Sequence, residues 1–264
     1  GSKPVYGYML TSTTASANIG EITPAPLTVA SVAGVNTTYG TSVATGAVSL
    51  SGVIGSDAVT SMASLVSPSL STSGNLSAGS YAQSASSLGG ADAGNYALTA
   101  YITPTANYVV NQLALTGSVS ASDKIYDSTT TATITSRSLS GAIVGDSVSY
   151  RGGIANFANK NVGTAKAVTA SGLGLSGADA ANYTVNSSAI ATASITHAPL
   201  VLNAVSDAKV YDGTTGSSGV VGAVGLQGSD SMGNVSQSYA SKNVLGTNAS
   251  MLAVNGGYSV NDGN

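Results

Sequence analysis

The chain has 264 residues, and only 7% of them are charged, against about 25% in a typical globular protein. Its net charge is −3 and its eight Lys and Arg residues are scattered, which argues against a nucleic-acid or anionic-membrane surface, since both need clustered cations. The absence of Cys excludes disulfides and thiolate metal sites. The apolar residues are mostly Ala and Val, and 13 Tyr accompany one Phe and no Trp, so we expect thin cores of small side chains.

The first predicted element is a short leading segment. Gly1-Ser2 resembles an expression scar, and no signal peptide opens the chain, so we expect a fragment of a longer protein. The stretch GYMLT at 7–11 resembles NYALT at 95–99. Residues 1–26 are therefore interpreted as the scar plus the terminal hairpin of a preceding repeat.

The next segment, 27–112, is the first predicted repeat. Its opening LTVASV alternates apolar and small polar residues, the period of a half-buried strand. NTTYGTS then places Tyr39, and GADAGNY ends at Tyr96. The apolar residues of 57–66 come closest in this chain to the spacing of a helix face, so a short helical turn is possible there.

Two further repeats follow, over 113–199 and 200–264. Tyr126 of KIYDSTT and Tyr183 of GADAANY each lie 87 residues after their counterparts in the first repeat. Tyr211 of KVYDGTT opens the third repeat, which is compressed and stops before an ITPAP-type segment. Either its final strand is missing or it is a distinct terminal cap.

This pattern predicts an all-β fold. Turn residues recur every 8–12 positions, and Pro residues mark the connectors, where a missing N–H costs no sheet hydrogen bond. The sequence also has no run of 18 apolar residues, so we expect no membrane insertion.

The paired stretches ADAGNY and ADAANY suggest the architecture of each repeat. An Asp followed four residues later by Tyr marks a corner of immunoglobulin-like sandwiches, where the Tyr hydroxyl ties back to the backbone. The candidate corner residues are Asp92, Tyr96, Asp179 and Tyr183. We expect an elongated tandem array of small Ig-like β-sandwich domains, with β-grasp-like repeats, each with one helix, as the alternative.

The other repeated motif is interpreted as a strand-turn-strand staple. Asp-Gly starts a turn, since Gly tolerates positive φ and Asp can accept a bond from the backbone two residues on, while Tyr supplies aromatic area. Its residues are Lys124, Tyr126 and Asp127 in the second repeat, and Lys209, Tyr211, Asp212 and Gly213 in the third.

Chemical roles for the motif find less support. An isopeptide bond would join Lys124 or Lys209 to an Asn such as Asn95 or Asn182. The oxygen-rich stretches 228–234 and 255–264 lack the spacing of a calcium loop. His197 is the only His and Glu21 the only Glu, which argues against zinc, triad and paired-Glu chemistry. We therefore expect no enzyme, no catalytic or metal residues and no cofactor.

These residues also carry a resemblance. KVYDGTT, KIYDSTT, TYG, GADAGNY and ITPAPLTV resemble the YDG and MBG repeats of large bacterial surface exoproteins, namely filamentous-haemagglutinin-like adhesins exported by two-partner secretion, including a biofilm matrix adhesin. By this resemblance, 27–112 is MBG-type, 113–199 is YDG-type, and 200–264 is a shortened YDG-type repeat. The departures are Ser128 in place of Gly and the short third repeat.

The resemblance implies a non-catalytic stalk or adhesion segment on the bacterial outer surface, with roles in cell–cell or matrix attachment in biofilms. We expect an exopolysaccharide or a neighbouring cell surface as partner, and a monomeric fragment. The alternative function is a carbohydrate-binding module of a secreted protein, because sugar rings stack on exposed aromatics. Its candidate residues are Tyr101, Tyr108, Tyr150 and Tyr239.

Overall fold

The computed structural model describes Gly7 and residues 16–263. The described residues form strands and turns, with two single-turn 3₁₀ helices at Ala93–Asn95 and Ala180–Asn182 and no α-helix. The predicted all-β class is therefore confirmed, and the helix of a β-grasp-like sheet does not occur in the described part. Apart from Gly7, the predicted hairpin at 7–11 and the scar lie outside the described residues.

The chain divides into two compact units. The first comprises the described residues up to Thr37 together with Thr41–Ser69 and Gly79–Asn111. The second comprises Thr38–Gly40, Leu70–Ala78 and the described residues from Gln112 onward. Two short segments that fall within the first repeat of the sequence thus belong structurally to the second unit.

Apart from the first, which has eight residues, the strands of the described residues up to Asn111 have only two to four, as expected of Gly- and Ser-rich sequence. They are β1 (Ala25–Val32), β2 (Val35–Thr38), β3 (Val48–Ser51), β4 (Thr60–Ser61), β5 (Ser64–Leu65), β6 (Gly79–Tyr81), β7 (Gln83–Ala85), β8 (Leu88–Gly89), β9 (Tyr96–Leu98), β10 (Tyr101–Ile102) and β11 (Tyr108–Asn111). The prediction that a short helical turn could form near 57–66 is wrong, because β4 and β5 form there and pair with β8 and β7 respectively.

Five of the eight strands that follow over 113–196 have 7 to 14 residues, whereas each described strand after residue 200 has three. They are β12 (Leu113–Ala121), β13 (Lys124–Ile125), β14 (Thr131–Ala132), β15 (Ile134–Ser140), β16 (Ser149–Phe157), β17 (Gly163–Ser176), β18 (Tyr183–Val185), β19 (Ser188–Thr196), β20 (Val201–Asn203), β21 (Gly222–Val224), β22 (Ser231–Gly233), β23 (Gln237–Tyr239), β24 (Leu252–Val254) and β25 (Ser259–Asn261).

The same strand order occurs in both units. In the first, β1 pairs antiparallel with β3 and parallel with β9, aligning Leu27 with Leu98. In the second, β12 pairs antiparallel with β15 and parallel with β18, aligning Leu115 with Val185. The duplicated sequence landmarks therefore correspond to a duplicated three-stranded sheet.

A second sheet extends this correspondence. In the second unit it has five strands in the order β13-β19-β17-β16-β14. In the first unit its counterparts are two three-stranded sheets, β2-β11-β6 and β10-β7-β5. The strands after residue 200 form antiparallel pairs: β20 with β21, β22 with β25, and β23 with β24.

The main core of the second unit lies between its two sheets. It is built mostly from small and aliphatic side chains, and its buried members are Tyr150, Ala155, Phe157, Val168, Ala170, Leu173, Ala193 and Ile195. Tyr126 packs against this cluster from one edge. Because such a core is thin, loops must be held by hydrogen bonds from polar side chains as well as by apolar burial.

Candidate functional site

The motif at 124–131 forms a turn clamped by its own lysine. Directly after β13, one oxygen of Asp127 accepts bonds from the Thr129 amide at 3.0 Å and the Thr129 hydroxyl at 2.9 Å. The Lys124 ammonium lies 2.7 Å from the same oxygen and donates to the carbonyls of Thr129 (2.8 Å) and Thr131 (2.9 Å). It also sits 5.5 Å from the centre of the Phe157 ring. The lysine thus closes the loop that the aspartate starts.

The motif at 209–215 forms the same turn. Asp212 accepts from the Thr214 amide and hydroxyl, both at 2.9 Å. Lys209 lies 3.0 Å from Asp212 and donates to the Thr214 carbonyl at 2.9 Å. Its ammonium is 5.5 Å from the centre of the Tyr239 ring, which takes the place of Phe157. Two copies of one local sequence therefore form one hydrogen-bond pattern.

Electrostatics in the two turns favour the ionised aspartate. Hydrogen bonds from the Thr214 backbone first, and then from Lys209, lower the pKa of Asp212 to about 2. Burial acts against ionisation of Asp127, but the bonds from Lys124 and Thr129 outweigh it and lower the pKa of that carboxyl below its usual value. Each lysine is partnered by this carboxylate and by threonine oxygens, and neither bonds to Asn95 or Asn182 within the described residues. This is the geometry of a structural turn.

The two motif tyrosines lie in different surroundings. Tyr126 is half-buried, and its hydroxyl is buried without a hydrogen-bond partner within 3.5 Å, although the Asp230 carboxylate is close by. Burial first, and then Asp230, raise the pKa of Tyr126 to about 12. Tyr211 instead has 60% of its surface exposed. The motif thus forms one turn but leaves its Tyr in two environments.

The corner residues of the first unit form a second recurrent arrangement. The Ile54 amide donates to the Tyr96 hydroxyl at 3.0 Å, and that hydroxyl donates to Asp57 at 2.6 Å. The Asp92 carboxylate accepts from the Ala58 amide at 2.8 Å. The tyrosine therefore reaches the backbone, as the sequence indicated, and also a carboxylate about 40 residues upstream that sequence reasoning missed.

The second unit repeats this corner. The Ile143 amide donates to the Tyr183 hydroxyl at 3.1 Å, and the hydroxyl donates to Asp146. Asp179 accepts from the Ser147 amide at 2.7 Å. A Gly within two residues before each loop aspartate, in GSD at 55–57 and GD at 145–146, was the available signal.

The corner of the second unit is also covered by Thr38–Gly40 and Leu70–Ala78, the two short segments that belong to this unit. The Tyr39 hydroxyl donates to Asp146 at 2.5 Å, and its ring meets that of Tyr183 edge-on with centroids 5.2 Å apart. Asp179 accepts from the Thr72 amide at 3.0 Å and from its hydroxyl. Burial opposes the charge of Asp146, yet bonds from Ser73, Tyr183 and Tyr39 lower its pKa to about 2.

A comparison with known protein families matches residues 109–192 to the YDG domain. Residues 109–192 form a YDG domain. The match covers about a third of the chain and includes the clamped turn at 124–131 and the corner at 179–183. The equivalent turn at 209–215 lies outside the matched range. Neither the curated proteins nor the solved structures include a match to this chain.

The described residues contain neither a metal-binding cluster of acidic and His side chains nor a helix that could span a membrane. In residues 16–263 and Gly7 no three His, Asp or Glu side chains come together as a metal-binding group. Within that same part of the chain no helix is long and apolar enough to cross a membrane.

The turn at Asp212-Gly213 predicts opposite effects for two neighbouring glycines. Gly213 has a φ of +79°, whereas Gly216 has no positive φ, and neither has an atom close enough to obstruct a methyl group. Gly213→Ala should lower the free energy of unfolding by about 1 kcal/mol, because the left-handed region disfavours a Cβ.

Gly216→Ala is the matched control and should be neutral or stabilising by about 0.5 kcal/mol, since Ala restricts only the unfolded chain. Urea unfolding of both variants measures the difference. Equal effects of the two substitutions would contradict the turn geometry.

The corner of the YDG domain predicts a cost for removing one hydroxyl. Tyr183→Phe deprives both Asp146 and the Ile143 amide of a partner, so the free energy of unfolding should fall by about 2 kcal/mol. Tyr258→Phe is the control, because Tyr258 is 47% exposed. Thermal and urea unfolding measure both variants, and a Tyr183→Phe protein as stable as the control would be inconsistent with the corner described.

Proposed function

We propose that this chain is a non-catalytic stalk and adhesion segment of a large secreted bacterial surface adhesin. The observation that carries the proposal is the use of the motif's ionisable groups within the turn itself. Lys124 and Lys209 are each partnered by an Asp and a Thr, and the carboxylates are held ionised by these bonds. Groups committed in this way serve to hold loops rather than to attack or protonate a substrate.

The repeated architecture supports the stalk. The strand order β3-β1-β9 recurs as β15-β12-β18, each with a tyrosine corner next to its last strand. Units that reuse one topology along a chain form extended arrays, because each contacts only its neighbours. We infer an elongated tandem array of small Ig-like sandwiches, MBG-type over 27–112 and YDG-type after it.

The proposal also includes the parent protein and its location. The YDG domain at 109–192, the low charge and the absence of cysteine suit a filamentous-haemagglutinin-like adhesin exported by two-partner secretion. Such a segment would lie on the outer cell surface and contact an exopolysaccharide or a neighbouring cell. In a biofilm this would give cell–cell or matrix attachment.

Tyrosine exposure weighs against the carbohydrate-binding alternative. Tyr108 and Tyr150 are 3% and 5% exposed, and their hydroxyls donate to the carbonyls of Val43 and Asn186. The Lys209 ammonium lies over the Tyr239 ring, and Tyr101 is half-buried within β10. The rings of Tyr108 and Tyr150 therefore offer no free face for a sugar to stack on, and those of Tyr101 and Tyr239 are only partly exposed.

Small-angle X-ray scattering tests the array. A compact particle of this length has a radius of gyration of about 18 Å. Three sandwiches about 30 Å long, placed end to end, give a maximum dimension on the order of 90 Å and a clearly larger radius. We expect the elongated profile, and a radius near the compact value would overturn the proposed stalk.

A glycan array separates the two functions. The stalk predicts that any binding detected is unchanged when Tyr101 or Tyr239 is replaced by Ala, once folding has been checked by circular dichroism. Loss of binding in either variant, with Tyr258→Ala unaffected, would instead favour the carbohydrate-binding module.

A further inference from the structure

Both arginines of this chain line one groove of the YDG domain. Arg137 lies on β15 and Arg151 on β16, and the groove between these strands has a volume of about 660 Å³. Its walls include Thr135–Arg137 and Ser149–Gly152, and we call it the arginine groove. Its volume falls within the range of roughly 300–1,000 Å³ that is typical of ligand sites.

The arginine groove is open because it follows two strand edges. β15 is an edge strand of its sheet, and β16 pairs with β14 only at Ala155 and Asn156. Over Ser149–Gly152, β16 therefore pairs only with β17 in the described residues. The space between the two edges is left to side chains.

Each guanidinium in the groove is held through its Nε. Arg137 Nε donates to the Gly152 carbonyl at 2.7 Å, and Arg151 Nε donates to the Ser149 hydroxyl at 3.3 Å. Within the described residues, the terminal Nη groups of both arginines make no hydrogen bond. The N–H groups with which arginine usually binds anions are therefore available.

No carboxylate of the described residues balances these two charges. Their ion pairs involve Lys124, Lys160 and Lys209, and no Asp or Glu lines the groove. Two cations that share a groove repel each other, and a bound anion offsets that repulsion while making charge-assisted hydrogen bonds. The arginine groove therefore favours an anionic ligand.

The type of anion follows from how few cations there are. The whole chain has a net charge of −3, and residues 4–123 contain no Lys or Arg, so the first repeat offers no equivalent groove. Two arginines do not suit a nucleic acid, because binding to its backbone takes many phosphate contacts. They suit a ligand with separate carboxylates, since the planar guanidinium fork matches both oxygens of one carboxylate.

The rest of the groove offers hydroxyl groups. Thr135 and Ser136 are exposed, and their hydroxyls make no hydrogen bond to another described residue. Tyr150 is 5% exposed and its hydroxyl donates to the Asn186 carbonyl at 2.8 Å, so its ring forms a fixed floor. Free hydroxyls beside two cations match a sugar acid, whose ring hydroxyls flank its carboxylate.

We propose that the arginine groove binds the carboxylates of a uronate-containing polysaccharide, an inference that rests on the exopolysaccharide partner proposed above. The Nη groups of Arg137 and Arg151 donate to carboxylate oxygens, and the Thr135 and Ser136 hydroxyls bond to ring hydroxyls of the sugar. This binding uses no aromatic face, so it differs from the carbohydrate-binding module that the tyrosines would form.

Nuclear magnetic resonance tests the site directly, because a chain with two arginines has two Nε–H signals. The whole chain is titrated with a galacturonate trisaccharide, and both signals should shift with a dissociation constant on the order of 1 mM, as expected of a few charge-assisted bonds. The methyl ester of the same sugar keeps the hydroxyls but not the charge, and should give no saturable shift. Unchanged Nε–H signals at about 10 mM of the acid would overturn the proposal.

Charge-matched variants identify the arginines. Arg151→Gln should weaken binding of the trisaccharide about tenfold, since charge-assisted bonds are lost. Lys242→Gln removes the same charge at an exposed position outside the groove and should leave the affinity unchanged. Arg151→Lys keeps the charge without the fork and should be intermediate. Circular dichroism checks folding, and equal affinities of Arg151→Gln and Lys242→Gln would contradict the proposed site.

Other polyanions define the ligand class. Polygalacturonate should bind more tightly than polyglutamate or dextran sulfate of the same length. Tighter binding of polyglutamate would assign the groove to an acidic protein segment, and tighter binding of dextran sulfate would assign it to sulfate groups; either result overturns the proposal.

The stalk and the groove fail separately. An elongated scattering profile without trisaccharide binding removes the groove ligand but keeps the stalk. Trisaccharide binding by a compact particle keeps the groove and removes the stalk.

Discussion

The hydrogen bond between a tyrosine hydroxyl and a loop carboxylate is the interaction on which this structure depends most. It closes the corner of each unit, where Tyr96 meets Asp57 and Tyr183 meets Asp146. Burial and the Asp146 carboxylate together raise the pKa of Tyr183. In return, the hydrogen bond that Tyr183 donates helps to lower the pKa of Asp146. The donor stays protonated and the acceptor stays ionised, so the charge-assisted bond persists over the ordinary pH range.

The composition explains why such bonds matter. A core of Ala, Val and a few aromatics buries little area per residue, and burial alone supplies about 25 cal/mol per Å². Polar side chains therefore hold the irregular backbone. Gln83, with no exposed surface, accepts from the Gly46 amide at 2.7 Å and donates to the Ala33 carbonyl at 2.9 Å. The two lysine-clamped turns at the surface are likewise held by polar side chains. Each lysine bonds to several groups, because an isolated exposed ion pair adds little to the free energy of unfolding.

The function we propose follows from how these groups are used. Asp, Lys and Tyr are the residues from which active sites are usually made, but here they bind backbone groups and one another. The same carboxylate, Asp146, serves its own corner and a tyrosine from an earlier repeat. One type of contact thus closes the corner of the second unit and also holds a segment from an earlier part of the chain against it.

The amino-acid sequence by itself determined the local features of this protein. Alternation, turn residues and the 87-residue spacing predicted an all-β chain with duplicated landmarks, because strand period and turn geometry depend on neighbouring residues. The motif Asp-Gly-Thr-Thr specified its turn for the same reason: the Asp212 carboxylate reaches an amide only two residues away. The position of Ser128 at a φ of +63° shows that Gly is not required there.

Only the tertiary structure decided which distant groups meet. The sequence indicated that Tyr96 and Tyr183 tie back to backbone, but not that Asp57 and Asp146 would accept their protons. It aligned Tyr126 with Tyr211 as equals, yet packing buries the hydroxyl of one beside Asp230 and leaves the other exposed. Such partners depend on how sheets and loops come together over tens of residues, and no local pattern records that arrangement.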